Sequence, residues 1–136
     1  MNLPPMPPAA NTVPTLRIQL WMETEAGLYF GMGRAQLLEK IEIHGSLKKA
    51  AAEMGMSYRA AWGKIRRTEA VLGEKIIRRN GNRREGHELT PFGKQVMELY
   101  NEWFQAVEEN ALQLAGRMFP WPVKRFPGAG SRWRTP

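Results

Sequence analysis

The hydrophobic positions along the chain change their period several times, and each change predicts a structural element. In residues 16–23 apolar and polar side chains alternate, as in a β-strand, and residues 28–30 are suited to pair back as a second strand. From residue 34 onward the spacing of Leu37, Leu38 and Ile41 indicates a short amphipathic helix that ends near Gly45. The pattern therefore begins with a β-hairpin followed by a helix.

The next stretch predicts two helices separated by a tight turn. Ser46 is suited to cap the first helix, and Gly55 favours the left-handed conformation that ends one. Ser57 is placed to cap the second helix, which we expect over residues 57–72. A helix, a turn containing glycine and a second helix have the spacing of a helix-turn-helix, although an ordinary corner between two helices has the same local pattern.

A second hairpin is predicted directly behind these helices. Residues 75–78 and 87–89 are suited to form its two strands, and the polar residues 79–86 its loop. A basic hairpin in this position is the wing of a winged helix, whereas the alternative is a solvated surface loop. The wing interpretation is favoured because four arginines would repel each other without an anionic partner: Arg78, Arg79, Arg83 and Arg84.

The last predicted helix covers residues 91–114, with Thr90 as its cap and Pro91 in its first turn. Its apolar stripe is longer than a small winged domain needs to cover itself, which favours a dimer interface, although part of it is expected to pack on the first strands. The predicted interface residues are Val96, Tyr100, Trp103, Phe104, Val107, Ala111 and Leu114.

These elements predict a mainly helical α+β fold, a winged helix-turn-helix over residues 16–114 with an N-terminal hairpin, a wing and a long C-terminal helix for dimerisation. Residues 1–15 contain several prolines, and we expect a flexible arm there. Residues 115–136 are basic, and we expect a disordered tail.

Charge adds a candidate partner to this outline. The chain of 136 residues has a formal net charge of +7, and residues 44–94 hold 12 basic against 5 acidic side chains. A basic middle segment indicates a polyanionic partner, although charge alone also fits a basic protein without one. No stretch approaches the ~20 apolar residues of a membrane span, and the start lacks the features of a signal peptide, so we expect a cytoplasmic location.

The side-chain inventory argues against catalysis. Cysteine is absent and the two histidines, His44 and His87, are far apart, so we expect no disulfide, no metal site and no cofactor. No catalytic triad or phosphate loop is present, and the neighbouring Glu108 and Glu109 fit a solvated helix face. We therefore do not expect an enzyme and assign no catalytic residues.

The helix predicted over residues 57–72 has two distinct sides. Trp62 and Ile65 fall on the side expected to face the core, and the opposite side is basic. Arginine can donate two hydrogen bonds to guanine, whereas lysine mostly meets phosphate as a point charge. We expect Arg59 and Arg67 to contact bases.

Small residues on the basic side, such as Gly63, would let this helix approach DNA closely. A glycine inside a helix lowers helix stability, so its presence here favours such a role. Tyr58 faces the core by its phase, although its hydroxyl can reach a phosphate or a base edge. The complete predicted DNA-binding set is Ser46, Lys48, Lys49, Ser57, Tyr58, Arg59, Ala60, Gly63, Lys64, Arg66, Arg67, Arg78, Arg79, Arg83 and Arg84.

At these residues the sequence resembles a known family. The run GSLKKAAAEMGMSYRAAWGKI, residues 45–65, is similar to the N-terminal winged-helix domain of the molybdenum-responsive transcriptional regulators, the ModE family. The flanking LYFGMGRAQLLEKIEIHGS and LTPFGKQVMELY match the same domain in order and spacing, and SYRAAW is the most specific part. The layout, including LGEKIIRR, is more distantly similar to the helix-turn-helix of LysR-type regulators.

The resemblance implies a homodimer that binds a two-fold symmetric operator in double-stranded DNA, with the helix over 57–72 and the wing as contacts. Typical members continue into molybdate-binding domains, but only 22 residues follow Leu114 here, so we expect no such domain and no molybdate binding by this chain. The alternative function is a nonspecific architectural nucleic-acid-binding protein, which the arginines and tryptophans of residues 115–136 would suit.

Overall fold

The computed structural model describes residues 12–81 and 86–127, and its chain divides into two compact units. One unit is Leu20–Tyr100, and the other combines the chain up to Gln19 with the chain from Asn101 onward. Within the described residues, no helix has the length and apolar character needed to cross a membrane.

The unit Leu20–Tyr100 begins with an antiparallel hairpin of β2 (Trp21–Thr24) and β3 (Gly27–Gly31). Gly27 has a φ of 121°, which suits the tight turn between the strands. Helix α1 (Met32–His44) follows β3 without a loop and ends at Gly45, which adopts the left-handed conformation. The predicted hairpin and helix are therefore confirmed, although the strand expected over residues 16–23 is shorter than its alternating pattern suggests.

The two helices of the predicted helix-turn-helix are α2 (Leu47–Glu53) and α3 (Tyr58–Leu72). Each begins at a serine cap: Ser46 Oγ accepts the N–H of Lys49 at 3.1 Å, and Ser57 Oγ accepts the N–H of Ala60 at 3.0 Å. Gly55 in the intervening turn has a φ of 72°, so the left-handed residue lies at the predicted position.

The second hairpin pairs β4 (Ile77–Arg79) with β5 (His87–Leu89) in antiparallel register. Helix α4 (Pro91–Met118) follows at once, and Thr90 Oγ1 accepts the N–H of Gly93 at 2.9 Å as its cap. The cap threonine also donates its hydroxyl to the carbonyl of Lys75 at 2.7 Å, which holds the start of α4 against the hairpin.

The core of this unit consists of apolar side chains that α1, α2, α3 and the second hairpin contribute. Burial of these side chains is the main source of its stability. The fully or almost fully buried members are Ala35, Leu37, Leu38, Ile41, Leu47, Ala50, Ala51, Ala61, Ile65, Ile76, Ile77 and Leu89.

The other unit contains the remainder of α4 and a two-stranded parallel sheet. Strand β1 (Thr15–Leu16) pairs with β6 (Lys124–Arg125). The guanidinium of Arg125 binds two neighbouring carboxylates of α4, those of Glu108 and Glu109. The guanidinium of Arg17 lies 4.3 Å from the centre of the Phe126 ring, which adds a cation–π contact.

This unit corrects two sequence predictions. Helix α4 continues to Met118 instead of ending at Leu114, because the next helix-breaking residue is Pro120. Residues 115–127 were expected in a disordered tail, but they include the end of α4 and the paired strand β6. Residues 1–11 of the expected arm and residues 128–136 of the tail lie outside the described residues.

Candidate nucleic-acid interface

The first basic surface lies at the start of α2. Lys48 and Lys49 occupy the first turn and are exposed, because Leu47, Ala50 and Ala51 take up the buried side of this short helix. Ser46, which was predicted to bind DNA, is almost buried and its hydroxyl oxygen is engaged as the cap.

Helix α3 turns one side to the core and leaves the other open to solvent. Ala61, Ile65 and Thr68 are buried, as expected for Ile65, and Trp62 is half-buried. The exposed side, called the α3 face below, is Arg59, Ala60, Gly63, Arg66 and Arg67. Lys64 borders this face and is half-buried, and Ser57 is exposed at the cap.

The cations at this surface lack carboxylate partners. Over residues 12–81 and 86–127, no ion pair involves Lys48, Lys49 or any cation of α3. Two carboxylates of α1 and α2 are paired with other side chains: Glu53 binds Lys40 and His44 of α1, and Glu42 lies 3.6 Å from Lys94. The surface therefore keeps its positive charge and is suited to attract a polyanion.

The wing is defined here as residues 77–89. Its predicted DNA-binding arginines differ in whether a carboxylate pairs with them. Arg78 Nε donates to Glu88 Oε2 at 2.7 Å across the hairpin, so a carboxylate partly neutralises its charge. Arg79 is exposed at the end of β4. Arg83 and Arg84 lie outside the described residues.

A row of aromatic rings connects α3 to the wing. The ring of Trp62 makes edge-on contacts with Tyr58, at 6.3 Å between centres, and with His87 of β5, at 5.5 Å. The guanidinium of Arg66 lies over the Trp62 ring, with its central carbon 5.2 Å from the ring centre, which is a cation–π contact. The sequence left Tyr58 open between the core and a contact with DNA. Its side chain is 43% exposed at the first residue of α3, so it lies at the surface and not in the core.

His87 is a buried residue for which the sequence pattern predicts no role. Its backbone N–H donates to the carbonyl of Gly45 at 2.9 Å, and its Nδ1 accepts the N–H of Leu47 at 3.4 Å. Burial lowers the pKa of His87, and the charge of Arg79 lowers it further. The imidazole is therefore held neutral where the wing meets the start of α2.

Two further residues of this unit could not be recognised from the sequence pattern. Thr68 lies on the buried side of α3, where its hydroxyl donates to the carbonyl of Tyr29 in β3 and so ties α3 to the first hairpin. Arg34 is buried in the first turn of α1, and its Nε has no hydrogen-bond partner among the described residues. Neither role has a local signal, since both depend on contacts between distant segments.

The predicted dimer residues of α4 fall into two groups. Tyr100 and Phe104 are buried within the single chain, and Tyr100 donates its hydroxyl to the carbonyl of Leu20 at 2.9 Å. Burial raises the pKa of Tyr100 to about 12. These two side chains are core residues of one chain. The remaining members are half-buried or exposed: Val96, Trp103, Val107, Ala111 and Leu114.

The segment that carries this geometry matches a family of regulators. Residues 32–94, from the start of α1 to the first turn of α4, match the family model described as bacterial regulatory helix-turn-helix protein, lysR family. A solved structure of full-length CbnR complexed with its target DNA aligns at 16% identity and a TM-score of 0.49, covering 71% of this chain and 43% of that chain.

Curated relatives that carry the name ModE align with part of the chain. The molybdenum transport protein ModE of Azotobacter vinelandii is 32% identical over 81 residues, which are 58% of this chain and 30% of that protein. The DNA-binding transcriptional dual regulator ModE of Escherichia coli (strain K12) is 28% identical over 86 residues, 62% of this chain and 33% of that protein.

The chain thus spans about a third of the length of these relatives. The resemblance to ModE regulators and to the LysR-type helix-turn-helix, and the winged helix-turn-helix fold expected from the sequence, are confirmed.

Proposed function

We propose, from the premise that residues 32–94 form a helix-turn-helix domain of the bacterial lysR type, that this chain is a sequence-specific DNA-binding transcriptional regulator. The observation that carries the proposal is the α3 face, a helical surface with three exposed arginines and two small residues. Its cations have no carboxylate partner among the described residues, so they are available to an anionic ligand.

The α3 face is suited to enter a major groove, which is wide enough for one helix. Ala60 and Gly63 add little bulk, so the helix backbone can approach the base edges closely. Arg59 lies in the first turn of α3, the part of a recognition helix that commonly contacts bases, and its guanidinium can donate two hydrogen bonds to guanine.

We assign contacts with the DNA backbone to cations outside the α3 face. Lys48 and Lys49 are exposed on α2, and Arg79 is exposed on the wing. Contacts to phosphate position a protein on DNA without selecting a sequence, so we assign selectivity to Arg59 and affinity to these three residues.

A homodimer would present two copies of α3 to a two-fold symmetric operator. The exposed and half-buried apolar side chains of α4, from Val96 to Leu114, support the pairing of this helix with a second copy. Half-sites would then lie about one helical turn of DNA apart, or roughly 34–36 Å.

The alternative function, a nonspecific architectural nucleic-acid-binding protein, is less well supported than the sequence suggested. It relied on a free basic segment after residue 114, but Arg125 of that segment is paired with Glu108 and Glu109. The two functions differ in the ratio of affinities for a selected and a scrambled duplex, which is large for a regulator and near one for an architectural protein.

The experiment is selection of bound duplexes from a randomised pool, followed by measurement of that ratio and of the oligomeric state by light scattering. Enrichment of a two-fold symmetric site by a dimer supports the proposal. A ratio near one on every duplex would contradict sequence-specific regulation, and a monomer on the selected site would contradict the dimer.

A further inference from the structure

The indole of Trp62 lies in the middle of a row of side chains along α3. Tyr58, Trp62 and Arg66 follow one another at intervals of four residues, and side chains at this spacing on a helix are neighbours. The Trp62 ring is 86° from the plane of the Tyr58 ring and 81° from that of His87, so both contacts are edge-on. The indole is therefore held by a neighbour on its own helix and by one on the wing.

The neighbour on the wing is itself fixed in place. His87 is buried, its backbone N–H donates to the carbonyl of Gly45, and its Nδ1 accepts the N–H of Leu47. Packing and hydrogen bonds to the backbone of this kind lock a side chain in one conformation. The half-buried Trp62 ring packs against this imidazole and so has a defined orientation beside the α3 face.

The guanidinium of Arg66 lies over this fixed ring. Its central carbon is 5.2 Å from the ring centre, within the range of a cation–π contact. Arg66 is exposed, and among residues 12–81 and 86–127 no ion pair or side-chain hydrogen bond involves its guanidinium. The guanidinium is thus held by an aromatic surface while its N–H donors stay available to an anion.

We propose that Trp62 is a positioning residue for DNA binding, which holds the guanidinium of Arg66 in place for a phosphate of the DNA backbone. A mobile arginine loses side-chain entropy when it binds, and an arginine that already lies on a ring has lost part of that entropy beforehand. The first residues of a recognition helix commonly contact bases, and Arg66 lies about two turns further along α3, so we assign it to phosphate. This inference rests on the proposed function, because it requires that the α3 face meets DNA.

The test is a double-mutant cycle on the full chain that combines Trp62→Leu with Arg66→Met. Affinity is measured on a scrambled duplex, because a phosphate contact does not depend on sequence. Trp62→Leu alone should weaken binding by roughly 3-fold to 10-fold. In the Arg66→Met background the same substitution should have almost no effect, because the guanidinium that it positions is gone.

Two further variants separate positioning from a structural role. Trp62→Phe keeps an aromatic face and should retain most of the affinity. Phe126→Leu is the matched control, since it removes the cation–π contact with Arg17 and should leave DNA affinity unchanged. If the indole only supported the fold, the loss in Trp62→Leu would be the same with and without Arg66.

The phosphate contact itself is measured through salt. Arg66→Met should reduce the slope of log affinity against log salt by about 1, because one cation that meets a phosphate is removed. An unchanged slope would show that Arg66 does not contact phosphate and would overturn the proposal.

A last measurement does not depend on the folding of the Trp62→Leu variant. In the wild-type chain without DNA, NMR relaxation of arginine Nε–H groups should show Arg66 to be less mobile than Arg59, an exposed arginine of the same helix. Equal mobility of the two side chains, or equal losses from Trp62→Leu in both backgrounds, overturns the proposal. If the wild type binds scrambled duplexes but selects no site, sequence-specific regulation fails while the cycle still decides the role of Trp62. If it binds no duplex, both fail.

Discussion

The Nδ1 atom of His87 accepts the backbone N–H of Leu47 at 3.4 Å, and this contact joins the second strand of the wing to the first residue of α2. The same histidine donates its own backbone N–H to Gly45 and packs edge-on against Trp62 of α3. Because Nδ1 must be unprotonated to accept a hydrogen bond, this junction of three elements requires a neutral imidazole.

Because the folded chain requires a neutral His87, its free energy of unfolding should fall in mild acid. Burial, and then Arg79, lower the pKa of His87 in the folded chain, so the unfolded chain takes up a proton at higher pH. The stability from neutral His87 is thus complete above about pH 6.5 and is lost as the pH falls below that value. His87→Asn, whose amide oxygen can accept the same N–H, should flatten the decline in free energy of unfolding between about pH 7.5 and pH 5.5.

Urea unfolding at several pH values measures this effect. The control is His44→Asn, because the His44 side chain on α1 is paired with Glu53 on α2. The control should keep the decline assigned to His87. An equally steep decline in His87→Asn and wild type would show that His87 does not set this part of the stability profile.

Two glycines of α4, one near its start and one near its end, are predicted to respond in opposite ways to substitution by alanine. A Cβ on Gly93 would lie 2.1 Å from the carbonyl oxygen of Ile76, so Gly93→Ala should lower the free energy of unfolding by about 1–3 kcal/mol. A Cβ on Gly116 of the same helix meets nothing within 4 Å, and Gly116→Ala should raise it by roughly 0.5–1 kcal/mol. Denaturant titration of both variants checks the pair, and equal effects would contradict the close approach at Gly93.

Substitution of Gly63 is predicted to change stability and DNA affinity in opposite directions. A Cβ here has open space, so Gly63→Ala should stabilise the free protein by roughly 0.5–1 kcal/mol through helix propensity. If the α3 face lies against base edges, the same methyl group should weaken DNA binding. Gly116→Ala should give the same gain in stability without the loss of affinity, and unchanged DNA affinity of Gly63→Ala would argue against close approach.

Substitution of Lys48 is predicted to change the salt dependence of DNA binding. Lys48→Ala should weaken binding to all duplexes similarly and reduce the slope of log affinity against log salt by about 1, because one phosphate contact is lost. Lys40→Ala serves as the control, since Lys40 is paired with Glu53. Titrations at several salt concentrations measure both slopes, and equal slopes for the two variants would remove Lys48 from the interface.

The parts of the fold that follow from local signals could be predicted from the sequence. The caps Ser46, Ser57 and Thr90 and the left-handed Gly55 act through hydrogen bonds and dihedral angles within a few residues of themselves. The helix-turn-helix, the wing strand His87–Leu89 and the start of α4 are therefore where the pattern indicated.

The features that the sequence did not reveal depend on contacts between distant segments. Strand β6 pairs with β1 over only two residues, which is too short to leave a periodic pattern. The partners of His87 and the isolation of Arg34 Nε arise only when helices and hairpins pack together. The helical phase left Tyr58 open between a core position and a contact with DNA, because at the first residue of a helix the core does not necessarily extend that far.

The claim that the α3 face reads DNA is tested most directly by parallel selection of duplexes with the wild type and Arg59→Ala. We predict that the wild type enriches a two-fold symmetric site and that Arg59→Ala loses its preference at one base pair of each half-site, with the other positions retained. The same site enriched equally by both proteins, or no site enriched by the wild type, would contradict the assignment of α3 as the recognition helix.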